Sequence, residues 1–172
     1  MEKSRKIAIP AIIGALELVL LYISGFMPTM RLALVAIAGL LNATIVIECG
    51  AKSALVGYVA VSILSSILSP DKGNTILYAL FLGLYPIIKC YIERIRRLAL
   101  EWILKILLFN IVLAIVYYTF AALFTEVLTF KGLAIWLVVP LANIVFIIYD
   151  IGLTKLITYY NRRLRGRIFR IR

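Results

Sequence analysis

Residues 7–27 read IAIPAIIGALELVLLYISGFM. This run of 21 residues, apolar apart from one carboxylate near its middle, is long enough to cross a hydrocarbon layer of about 30 Å as a helix. At about 100° per residue, Ala8, Ala11 and Ala15 share one face, and Leu18 and Tyr22 extend it. Pro10, Ile13, Glu17 and Ser24 gather on the opposite side. A helix of this kind hides a carboxylate among neighbouring helices and offers a smooth small-residue surface elsewhere. The stripe has two readings: docking on a partner protein, or packing against another helix of the same chain.

Working outward, 64% apolar residues and a mean hydropathy of +1.06 exceed what a soluble core can bury in 172 residues. The chain reads as an integral membrane protein. Five further apolar runs follow the first, at Leu32 to Glu48, Ser53 to Ser69, Thr75 to Tyr91, Trp102 to Phe124 and Ala134 to Ile157. The first run is too long for a cleavable signal and no small-residue cleavage site follows it. Breaks fall at Met27-Pro28-Thr29, Cys49 to Lys52, Ser69 to Asn74 and Thr125 to Gly132, whereas Glu93 to Glu101 is charged and reads as helical.

Cations near membrane ends resist translocation, so their placement sets the orientation. Lys3, Arg5, Lys6, Lys52, Lys89, Arg94, Arg96, Arg97, Lys105, Lys155 and the six arginines from Arg162 onward fall on one side. Arg31, Lys72 and Lys131 fall on the other. The expectation is an all-α polytopic membrane protein, a compact bundle of six transmembrane helices forming a single domain over residues 1–172, with both termini cytoplasmic. The polybasic tail, 161–172, resembles a nucleic-acid arm only out of context. Beside a membrane helix it reads as an anchor on anionic lipid, worth about 1 kcal/mol per cation near the surface.

Several chemistries find no support. There is no histidine, no P-loop sequence and no G-x-S-x-G elbow. The eight carboxylates are scattered, and Cys49 and Cys90 lack metal-ligand spacing. Both thiols are expected to be free on the cytoplasmic side. The chain is therefore not expected to be an enzyme or to carry a metal or cofactor, and no nucleic-acid partner is expected.

What remains is a set of polar groups at membrane depth, where such groups mark either helix glue or a pathway. Glu17, Asn42, Asn110 and Asn143 lie near the middle of their runs, with Tyr78 and Tyr117 toward the outer side. For each asparagine taken singly, an interhelical hydrogen bond is the simpler reading, and for a tyrosine it is interfacial anchoring. Taken together, Tyr78, Asn110, Tyr117 and Asn143 supply flat apolar faces and amides from three helices, the mixture that a small-molecule site needs. Glu17 would lie beneath such a site as a wall or counter-charge. Arg31, at the start of the second span, would attract an anionic group.

A six-span chain of this length, with a stripe beginning Ala8-Ile9-Pro10-Ala11-Ile12-Ile13-Gly14-Ala15 and polar groups in the outer half, resembles the substrate-binding S component of an energy-coupling factor transporter. The stripe is similar to the alanine motif by which such subunits dock, mapping onto Ala11 and Ala15 with Ala8 on the same face. Residues Gly25 to Arg31 are short for the loop that caps the substrate in many members. The resemblance implies capture of a vitamin or similar small nutrient at a prokaryotic plasma membrane. It also implies a transmembrane coupling protein and two ATPase subunits as partners. The alternative class is an MreD-like membrane scaffold, in which the polar groups are glue and the stripe binds a partner permanently.

Overall fold

A computed structural model describes residues 2–27, 29–95, 97–123, 133–160 and 162. Lys131, the Thr125 to Gly132 break and the basic tail other than Arg162 lie outside the described residues. The chain is all-α: α1 (Glu2–Ser24), α2 (Arg31–Cys49), α3 (Ala51–Leu68), α4 (Lys72–Leu77), a π-helical turn (Tyr78–Leu82), α5 (Tyr85–Ile92), a 3₁₀ turn (Glu93–Ile95), α6 (Leu98–Leu123) and α7 (Leu133–Tyr159). Among the described residues, six helical segments are long and apolar enough to cross a membrane, with α4, the π turn and α5 together making the fourth. The chain divides into two compact units, Met1–Lys105 and Ile106–Arg172, with α6 running from the first into the second.

In the first unit, α1 packs on α2 and α3, and α2 also meets the π turn and α5. Ile45, Ala54 and Ile87 form a buried cluster, against which Ile13, Val46, Cys49, Ala51 and Tyr58 pack. Only Gly50 separates α2 from α3. Its φ of 85° and ψ of 164° lie where a side chain is strained, which is why a single residue can reverse the chain here. The opposite end of the unit is stitched by polar contacts. Asp71 caps α4 by accepting from the backbone N–H groups of Gly73 at 2.9 Å and Asn74 at 3.3 Å. Asn74 Nδ2 donates to Ser24 Oγ at 3.1 Å and to the Ser24 carbonyl at 3.3 Å.

The fourth run, expected as a continuous span from Thr75 to Tyr91, is broken in the middle. Pro86 has no N–H for the Leu82 carbonyl, and its ring crowds that carbonyl, so an α-helix cannot pass through unchanged. The backbone widens ahead of the proline, with Gly83 N–H donating to the Tyr78 carbonyl at 2.8 Å, five residues back. Ile87 N–H turns to the Leu84 carbonyl at 3.1 Å. The Gly83 carbonyl is thereby released from its usual helical partner, and Asn42 Nδ2 donates to it at 2.7 Å. Water cannot satisfy such a group at membrane depth, so a side chain must.

Gly39 makes this arrangement possible. A Cβ at position 39 would overlap the Leu82 carbonyl, so α2 reaches the π turn only because no side chain stands between them. In the second unit, α6 and α7 meet through the stacked rings of Phe109 and Phe146, whose centroids are 4.6 Å apart with planes 6° apart.

Candidate functional site

The two faces of α1 separate as their spacing implies. Glu17, Leu21 and Ser24 are buried, and Ala8, Ala11 and Ala15 are exposed. Glu17 has no exposed surface, and its Oε2 accepts a 2.6 Å hydrogen bond from the hydroxyl of Tyr78. Tyr78 is the first residue of the π turn and is also fully buried. Its ring lies beside that of Tyr58, with centroids 6.1 Å apart, and the Tyr58 hydroxyl donates to the Ala79 carbonyl. The π turn and the glycine that follows it are thus held from α1 through Glu17, from α2 through Asn42 and from α3 through Tyr58. Among the described residues, Glu17 Oε1 and Asn42 Oδ1 are buried with no hydrogen-bond partner.

Arg31 opens α2 and pairs with Asp71 at 3.4 Å, with its side chain about half exposed. The pair ties the start of α2 to the cap of α4 and leaves part of the guanidinium accessible. At the other end of the unit, the buried ammonium groups of Lys89 and Lys105 bond to the same oxygen of Glu93, at 2.9 Å and 3.0 Å. One carboxylate thus joins α5 to the start of α6.

Asn110 and Asn143 belong to the second unit and face one another. Asn110 Nδ2 donates to Asn143 Oδ1 at 3.0 Å, and Asn143 Nδ2 returns a bond to Asn110 Oδ1 at 3.2 Å. The remaining N–H of each amide bonds back along its own helix, to the Ile106 carbonyl at 2.8 Å and the Val139 carbonyl at 2.9 Å. All four side-chain donors are therefore used. Tyr117, two turns along α6, is exposed and meets Tyr118 edge to face at 5.7 Å. Of the residues expected at a site, Glu17 and Tyr78 come together in the first unit, and Asn110 and Asn143 in the second.

The stripe of small residues borders a groove of about 520 Å³ between α1 and α3, almost wholly apolar. Pro10, Ala11, Gly14 and Ala15 form one wall, and Gly57, Ala60 and Val61 form the other; Lys6 and Ser53 stand in the lining as well. Gly14 takes the contact within the chain, where a Cβ would stand 3.2 Å from Val61, and the alanines remain exposed.

Reading the sequence gave Asn42 an interhelical hydrogen bond without naming its partner, and it did not anticipate the roles of Tyr58 and Asn74. The signal for the first two was Gly83 and Pro86 within one apolar run, which marks a break whose freed carbonyls need partners. The fold and its span composition define a multi-pass, all-α membrane protein. No family model, curated protein or solved structure matches the chain.

Proposed function

We propose that this chain is the membrane-embedded substrate-binding subunit of an energy-coupling factor transporter. It would capture a vitamin or similar small nutrient outside a prokaryotic plasma membrane and hand it on for ATP-driven uptake by a transmembrane coupling protein and two ATPase subunits. The observation that carries the reading is the groove beside Ala11 and Ala15, open and floored by small residues along two helices. Lipid chains fill such a surface poorly, whereas a partner helix can approach it closely enough to pack backbone on backbone. The Ser24, Asn74, Arg31 and Asp71 cluster at the far end of the same unit supports a structured, polar outer end.

The test combines docking with ligand capture. Ala11→Trp fills the groove and should abolish the complex with co-expressed coupling protein and ATPases. Because Ala11 is exposed, the isolated variant should melt within about 0.5 kcal/mol of wild type. Survival of the complex would overturn the docking assignment. A thermal-shift screen across vitamins should find one that stabilises the purified chain, by about 2.7 kcal/mol at a hundredfold excess over its dissociation constant. The scaffold reading has its own support in the Asn110 and Asn143 pair, whose donors are all consumed within the protein. A chain that assembles through the groove but responds to no nutrient belongs to that class.

A further inference from the structure

Glu17 and Asn42 present a problem in hydrogen bonding that the groove between α1 and α3 does not involve. Each is wholly buried, and each keeps one oxygen, Glu17 Oε1 and Asn42 Oδ1, without a partner among the described residues. Both border the same backbone turn. The Tyr78 ring that binds Glu17 lies against the α-carbon of Gly83, and Asn42 bonds to the carbonyl of Gly83. With Glu17 ionised, both orphaned atoms are acceptors, so a neighbouring acceptor cannot satisfy them. What they lack is a donor or a positive charge. No ion pair among the described residues reaches Glu17. A carboxylate at membrane depth with no positive neighbour is costly.

We propose that Glu17 Oε1 and Asn42 Oδ1 are ligands of a monovalent alkali cation held between α1, α2 and the π turn. The ligand chemistry favours this class. Hard cations take oxygen donors, and one carboxylate with otherwise neutral oxygens balances a single positive charge. A divalent ion would call for more carboxylates, and no group of three acidic, cysteine or histidine side chains occurs among the described residues. The backbone is suited as well. Where a membrane helix departs from α geometry, its carbonyls are released from helical partners and can face an ion. Pro86 removes the usual donor to the Leu82 carbonyl at this same turn. A buried water could supply hydrogen bonds to both oxygens but would not balance the charge of an ionised Glu17.

The site lies within the first unit and needs neither nutrient nor partner, so its failure and that of the transport reading are separable. The test is the melting temperature of the purified full chain in lithium, sodium, potassium and choline chlorides at equal ionic strength. One alkali cation should raise it in a saturable manner and choline should not. Glu17→Gln retains an acceptor for Tyr78 while removing the charge, and it should abolish the saturable response. Asn42→Leu should weaken the apparent cation affinity about tenfold, the equivalent of losing one ligand contact worth about 1.4 kcal/mol. Wild type that melts identically in all four salts would overturn the proposal, leaving Glu17 a neutral core carboxyl. This comparison stands even if neither variant folds. A Glu17→Gln protein that keeps the full response would overturn it too, by placing the cation elsewhere.

Discussion

At Gly39 the absence of a side chain decides how close two pieces of backbone come. The Leu82 carbonyl occupies the place a Cβ would need, and it is backbone of a buried residue rather than the end of a flexible side chain. Gly39→Ala should therefore push α2 away from the π turn, stretch the Asn42 bond to Gly83, and cost about 1–3 kcal/mol as an overpacked core does. Gly152, where an added Cβ would meet nothing within 4 Å, is the matching control in a helix. There alanine should be neutral or add up to about 1 kcal/mol through helix propensity. Melting of the two variants in the same detergent checks both signs, and a Gly39→Ala protein as stable as wild type would show that the approach of α2 is not tight.

Between elements, the contact most open to measurement is the amide pair joining α6 to α7. Either single change, Asn110→Leu or Asn143→Leu, strands the other amide in an apolar setting and should cost about 1–2 kcal/mol. Replacing both removes the donors and acceptors together, so the double variant should be more stable than the sum of the singles implies. A double-mutant cycle read by thermal melting gives the coupling. Additive losses would mean that the two amides do not depend on one another, contrary to their reciprocal 3.0 and 3.2 Å bonds. If a nutrient is found, the same variants separate the roles, because helix glue alters melting whereas a ligand contact alters affinity.

For the molecule as a whole, the cation split makes orientation the central prediction. Lys72 begins α4 and is exposed, donating to the carbonyls of Ser66 at 2.6 Å and Ser69 at 3.1 Å. In a chain with both termini cytoplasmic, Lys72 lies outside. Lys72→Cys, in a background with Cys49 and Cys90 replaced by serine, should react with a membrane-impermeant maleimide added to intact cells. Labelling only after the cytoplasmic side is opened would reverse the orientation and move any nutrient site away from the outer face.

Apolar run length, read from the chain alone, was enough to locate six helices, because a membrane span needs about 20 apolar residues and its ends are marked by Pro, Gly and charge. The faces of α1 were equally legible, since helical periodicity alone separates Ala8, Ala11 and Ala15 from Glu17. Run length could not reveal the interruption at Tyr78–Leu82, where hydropathy stays high while the hydrogen-bond ladder changes. Nor could it pair Tyr78 with Glu17, 61 residues away, or show Asn42 answering the carbonyl of Gly83. Periodicity states which way a side chain points along its own helix. Which atom it meets depends on how neighbouring helices approach, and at Gly39, Gly83 and Pro86 that approach is decided by sterics realised only when the helices are packed.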